Sequence, residues 1–163
     1  MIVETKVQKE TIARSININF LACLALVVQF LLGMVVNLFV TIPDHHPGSH
    51  AKNFFAGVAS GITWAVSQES FWLILHILFG FVLIIASFVN IVLASQIGRK
   101  IYTVLATLGA FAILGAAFNG ISFINYGENF SSMIMAGLFA LALFCYLTCG
   151  YLGAIAKNCD QTQ

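Results

Sequence analysis

Four long stretches of this chain contain no charged side chain, and they limit the fold more than any other feature of the sequence. Each is longer than the roughly 20 apolar residues that an α-helix needs to cross a bilayer. Only 8% of the residues are charged, whereas a soluble domain has about 25%. The composition therefore argues against a water-soluble fold and predicts a single transmembrane domain over residues 1–163. The predicted spans are residues 16–42, Phe71–Gln96, 101–125 and 131–156.

The link between the first two spans contains a further apolar stretch, Phe54–Gln68, which is too short to cross a bilayer. On a helical wheel its large apolar side chains share one face, Thr63 and Ser67 lie opposite, and Gly57 and Gly61 form a small-residue edge. This pattern is typical of a helix that lies on a membrane surface. The predicted fold class is all-α: an integral membrane four-helix bundle with an extra interfacial amphipathic helix between helices 1 and 2.

Positive charge is concentrated on one side of this topology. Six of the seven Lys and Arg residues lie at the termini or in the tight turn between the second and third spans, and only Lys52 lies on the other side. The positive-inside rule then predicts a protein of the cell membrane with cytoplasmic N- and C-termini. The first apolar run is too long for a signal peptide, so it is predicted to stay as a helix. The net charge of +1 gives no indication of a nucleic-acid partner.

His76 is the one ionisable group inside the span Phe71–Gln96, and such a group marks a functional site by default. Asn37 and Asn119 are predicted at a similar depth on two other helices. An imidazole nitrogen can ligate haem iron, and Gly80, one turn along, would leave room for a flat macrocycle. The alternative is a neutral histidine bonded to an asparagine or a backbone carbonyl, with both asparagines bridging helices.

A haem site with two axial ligands would need a second residue from outside the helix interiors. His46 and His50 of the link after the first span are candidates, as is a methionine sulfur of Met133 or Met135. The same link offers a separate metal site, because imidazoles with a carboxylate suit transition metals. The spacing matches no standard zinc motif, and a polar loop that fixes the end of the first helix is the alternative. The candidate metal ligands are Asp44, His45, His46 and His50.

A weak internal repeat relates the first and third spans. A leucine-glycine pair, an asparagine and an isoleucine recur at a constant offset, which is the pattern left by duplication of a two-helix unit. Chance is the alternative explanation for so short a match. The matching residues are Leu32, Gly33, Asn37 and Ile42 in the first span and Leu114, Gly115, Asn119 and Ile124 in the third.

Two segments of the chain resemble a known group of sequences. Residues 33–48 read GMVVNLFVTIPDHHPG, and residues 118–132 read FNGISFINYGENFSS. They are similar to the motifs GxxxNLxVxIPxHHPG and FNGxSFxNYGExxSS of small four-helix bacterial membrane proteins of unassigned function. In architecture alone the chain also resembles four-helix b-type membrane cytochromes, which implies haem b and quinone. It differs from them in having one histidine within a helix rather than facing pairs.

The leading functional hypothesis is a multi-pass membrane protein with an outward-facing His/Asn polar site. Such a site would bind haem b or a transition metal for membrane-linked electron transfer, with the bilayer, quinone or another membrane subunit as partners. A non-enzymatic accessory or scaffold subunit is the alternative. A small transporter is the third class, and it lacks an intramembrane carboxylate to complete a relay.

Overall fold

The computed structural model describes residues 6–49, 51–68, 70–127 and 129–161, and the regular elements in these ranges are all α-helices. Four of them are long and apolar enough to cross a membrane, and a shorter apolar helix lies between the first two. The predicted fold class is therefore confirmed. The helices are α1 (Lys6–Phe39), α2 (Phe54–Gln68), α3 (Phe71–Gln96), α4 (Lys100–Tyr126) and α5 (Asn129–Gln161).

The helices extend beyond the apolar spans at the chain termini. α1 begins at Lys6 and α5 ends at Gln161, because an apolar stretch marks what can cross a bilayer and not where helical hydrogen bonding stops. At its other end α1 stops at Phe39, short of residue 42. Pro43 disfavours helical backbone in the residue before it, and the chain leaves the helix with a last bond from Val40 N–H to the Val36 carbonyl, at 3.0 Å.

Short local signals set the other helix ends. The Ser70 side chain accepts a hydrogen bond from Leu73 N–H and so caps the start of α3. Gly98, with φ 76°, turns the chain from α3 into α4. Gly127 ends α4 in the left-handed conformation at φ 68°, which costs glycine little because it has no Cβ.

The four long helices form a ring in which α1 packs on α3 and α5, and α4 packs on the same two neighbours. α1 and α4 therefore lie diagonally, and they run in the same direction because α3 and α5 return between them. α2 packs against α3 and α4. We call the end of the bundle where α1 and α4 terminate and α2 packs the α2 end; the turn at Gly98 lies at the opposite end.

This ring is the arrangement that two copies of a two-helix unit would give. A two-fold axis along the bundle would exchange α1 with α4 and α3 with α5. Corresponding glycines make corresponding contacts: a Cβ added at Gly33 would lie 3.1 Å from His76 Cε1, and one added at Gly115 would lie 3.0 Å from Leu138 Cδ1. His76 in α3 thus occupies the position that Leu138 occupies in α5.

Most of the helical surface faces away from the bundle. Within the most apolar window of each long helix only 17–33% of the residues are buried. Large apolar side chains such as Leu38, Ile85, Phe111 and Phe144 are more than 60% exposed. A soluble monomer does not expose apolar area on this scale, whereas lipid tails cover it.

α2 packs through its small residues. Gly57, Gly61 and Ala65 are buried, whereas Phe55 and Val66 are exposed. A Cβ added at Gly61 would lie 2.5 Å from Oδ1 of Asn125, a buried residue near the end of α4. The small-residue edge therefore lets α2 approach α4 closely, Trp64 packs inward, and Phe55 and Val66 remain exposed, as expected of a helix at a membrane surface.

Candidate binding site at the α2 end

His76 faces α1, where Gln29 is its partner. Gln29 Nε2 donates to the backbone carbonyl of His76 at 3.1 Å and lies 3.4 Å from the ring atom Nε2. Because a carbonyl can only accept, the atom facing it must be the amide nitrogen. The second amide hydrogen then points to His76 Nε2, which places the ring proton on Nδ1. His76 Nδ1 and Gln29 Oε1 are buried with no hydrogen-bond partner in the described part of the chain.

Two glycines make room for this pair. Gly33 lies against the His76 ring, and a Cβ added at Gly80 would lie 3.2 Å from Gln29 Nε2. The space that Gly80 leaves open is therefore occupied by the Gln29 amide. His76 is therefore hydrogen-bonded to a neighbouring helix, which is close to the predicted alternative to haem ligation. Its partner is a glutamine and not an asparagine or a backbone carbonyl.

The two predicted asparagines have different environments. Asn119 donates to the carbonyl of Gly115 in its own helix, at 2.9 Å, so this bond does not bridge two helices. Asn37 is exposed and lies at the α2 end of α1. Neither asparagine makes a hydrogen bond with His76 in the described part of the chain.

His46 connects the loop after α1 to the end of α4. Its Nε2 lies 3.0 Å from the Ile124 carbonyl oxygen, and its Nδ1 lies 3.1 Å from that of Pro47. The ring stacks on Trp64 of α2 with centroids 4.2 Å apart. A local turn orients the residue: Ser49 N–H donates to the His46 carbonyl at 3.0 Å, and His46 N–H donates to Ser49 Oγ at 3.3 Å. His46 thereby connects the loop after α1 to α2 and to the end of α4.

A cavity of about 260 Å³ lies between the ends of α1 and α4, beneath the loop. It is far larger than the roughly 10–15 Å³ needed for one water molecule, and it is slightly below the usual range of about 300–1,000 Å³ for small-molecule pockets. Its lining combines polar side chains with an apolar wall. Three of the predicted site residues, Asn37, Asp44 and His46, line it, together with Val40, Phe123, Ile124 and Tyr126 among others.

The remaining predicted ligands are not assembled with this cavity. His45 is exposed and is not part of the lining, and His50 lies outside the described residues. Met133 is 62% exposed, and Met135 Sδ lies against Gly120. Among the residues that the structure describes, no three His, Cys, Asp or Glu side chains are grouped so that they could hold a metal ion.

Sequence reasoning missed the main polar contact in the opposite half of the bundle. Asn90 of α3 donates to Asn19 Oδ1 of α1 at 3.0 Å, and Asn19 donates to the Ser15 carbonyl at 2.8 Å. All three residues are buried. Asn19 and Asn90 could have been identified as candidates, because each is an amide in an otherwise apolar span. Their pairing could not, because the sequence does not show which faces of two helices contact each other.

The fold and the exposed apolar surface define the class of this molecule, a multi-pass helical membrane protein. Comparison of the chain with models of protein families, with curated proteins and with solved structures finds no match.

Proposed function

We propose that this protein binds a small ligand at the outer surface of the cell membrane, in the cavity between the ends of α1 and α4. The observation that supports this is the convergence of Asn37, Asp44 and His46 on one cavity. These residues come from a helix end and a loop, and each was a site candidate on chemical grounds alone. The six-to-one distribution of Lys and Arg supports an outward-facing α2 end.

His46 and Trp64 make this site well suited to hold a ligand. Their stacked rings and the bond to the Ile124 carbonyl fix the loop over the cavity, so that little ordering entropy remains to be lost when a ligand binds. The lining contains both apolar residues and a few polar ones that could orient a ligand.

Membrane-linked electron transfer through haem b is less well supported by the side-chain arrangement. Gln29 occupies the space beside Gly80, and the His76 ring lies against Gly33. His46 is held by Ile124 and Trp64. These residues do not fit a macrocycle between two axial ligands. An absorption spectrum of the protein purified in mild detergent tests the haem prediction, for which a Soret band would be the positive result.

A non-enzymatic scaffold subunit is the second candidate, and the interhelical bonds favour it. Asn19 with Asn90, and Gln29 with His76, join α1 to α3 through hydrogen bonds inside the bundle. This role and ligand binding are compatible, since the bonds lie in the bundle and the cavity lies at its end.

Native mass spectrometry of the purified protein tests the proposed binding site. We expect the wild type to retain a small molecule or a lipid, and Asn37→Trp to lose it because the indole fills the cavity. The matched control is Asn17→Trp, which changes an exposed asparagine of the same helix about 30 Å away. A wild type without bound ligand, or equal retention by the two variants, would contradict the proposal.

A further inference from the structure

Both helix ends that border the cavity are C-terminal ends. α1 ends at Phe39 and α4 at Tyr126, and a helix dipole places partial negative charge at such an end. Neither helix has a basic residue in its last turn to offset that charge. Both C-terminal ends therefore border the one cavity, while α3 and α5 begin at the same end of the bundle and bring their oppositely charged N-terminal ends to it.

Asp44 adds a full negative charge at the same place. It lines the cavity and its side chain is exposed. No Lys or Arg is found among the described residues of the lining. Both ring nitrogens of His46 lie against backbone carbonyls, Nε2 at 3.0 Å from that of Ile124 and Nδ1 at 3.1 Å from that of Pro47. The Asp44 carboxylate can therefore accept hydrogen bonds from a cationic ligand and pair with its charge.

The wall of the cavity indicates which kind of cation. Phe123 and Tyr126 are aromatic members of the lining, and Val40 and Ile42 are aliphatic ones. Aromatic faces attract ammonium groups, including quaternary ones. A bare metal ion would need a group of carboxylate or imidazole ligands, and the described residues do not supply one. A quinone presents carbonyl oxygens, which need donors and would face the carboxylate of Asp44.

We infer that the cavity recognises an alkyl ammonium group, carried by a zwitterionic phospholipid headgroup or by a free small amine. The inference rests on the proposed function and names the chemistry of its ligand. The position of the cavity at the end of two spans puts it at the depth of lipid headgroups, which lie just outside the hydrocarbon core.

The test compares two lipids with the same acyl chains, phosphatidylethanolamine and anionic phosphatidylglycerol, titrated onto the detergent-purified protein and measured by native mass spectrometry. We expect the wild type to bind the ethanolamine lipid several-fold more tightly. Asp44→Asn should weaken that binding roughly two- to five-fold, the size expected of one exposed ion pair. The matched control Glu10→Gln, which removes an exposed carboxylate near the start of α1, should leave it unchanged.

Equal or tighter binding of phosphatidylglycerol, or no effect of Asp44→Asn, would overturn the inference. The proposed function would survive that result if Asn37→Trp alone still abolished ligand retention, and it would fail separately if wild type and Asn37→Trp retained ligand equally. Free ethanolamine distinguishes the source of the ammonium group. Competition at millimolar concentration indicates recognition of the amine itself, whereas lipid binding without competition indicates that the whole headgroup is recognised.

Discussion

The Gln29 side chain lies 3.1 Å from the backbone carbonyl of His76 and 3.4 Å from its ring Nε2, and these two contacts connect α1 to α3. Gly33 and Gly80 border the pair, one beside the ring and one beside the amide. A histidine that would be costly in lipid is thereby enclosed between two helices. The pair acts as a polar connection inside the bundle, apart from the cavity at its α2 end.

A double-mutant cycle on Gln29 and His76 measures this connection. We expect Gln29→Leu and His76→Leu each to leave a partner unpaired, and the double variant to be more stable than the sum of the two losses implies. The coupling free energy should be about 0.6 kcal/mol and at most about 2 kcal/mol, as for polar pairs in other membrane bundles. Reversible unfolding in mixed detergent micelles gives the free energies, and strictly additive losses would exclude the pairing.

Asn19 should matter more for stability than its neighbour Asn17. Asn19 is 2% exposed and bonds Asn90 across the helix interface, whereas Asn17 is exposed on the same helix. We expect Asn19→Leu to lower the free energy of unfolding by about 1 kcal/mol. Asn17→Leu should be neutral or stabilising, because leucine suits lipid better than an amide does. Similar effects of the two substitutions would show that the bond to Asn90 contributes nothing.

Gly48 should control the docking of α2. Its φ is 101°, and a Cβ there would lie 2.5 Å from the Gly57 carbonyl oxygen and 2.7 Å from Gly61 N. Gly98 has a comparable φ of 76° with nothing within 4 Å of an added Cβ, so it controls for backbone strain alone. We expect Gly48→Ala, but not Gly98→Ala, to speed amide hydrogen exchange throughout α2 by roughly tenfold or more. Equal exchange in the two variants would mean that Gly48 does not hold the helix in place.

The orientation of the bundle is a prediction from charge, and labelling tests it. A cysteine at Ser49, next to the cavity, should react with a membrane-impermeant thiol reagent in intact cells if the α2 end faces outward. A cysteine at Ser95, exposed near the opposite end of α3, should react only after lysis. Both are placed in a Cys159→Ser background, since Cys23, Cys145 and Cys149 are buried. The reverse pattern would move the cavity to the cytoplasmic side.

The helices could be predicted from the sequence, because apolar stretches, caps and turn residues are local features of the chain. The bounds of α3 agree with the uncharged stretch Phe71–Gln96, where Ser70 and Gly98 supply the cap and the turn. Helix pairing is different, since it depends on how each helix is rotated. Asn37 and Asn119 occupy equivalent positions in the repeat, yet one lines the cavity and the other bonds its own backbone.

Three of the predicted site residues lie together, and His76 lies apart from them. Asn37, Asp44 and His46 share a cavity because a turn at the end of α1 brings residues close in sequence close in space. The sequence predicted His76 in the same site because its depth along the helix is similar to that of Asn37. Its partner Gln29 lies in another helix, and nothing in the spacing of the sequence indicates that the two side chains face each other.

Photo-crosslinking from inside the cavity tests the central claim most directly. A small diazirine amino acid at Val40, which lines the cavity, is compared with the same residue at Val28, which is 44% exposed in the middle of α1. Mass spectrometry identifies what each position captures in native membranes. If the cavity is a binding site, Val40 should capture one ligand species, out of proportion to its abundance and reduced by Asn37→Trp, while Val28 captures lipids in proportion to the bulk membrane. If Val40 gives the same bulk profile as Val28, the cavity binds no specific ligand and the account is contradicted.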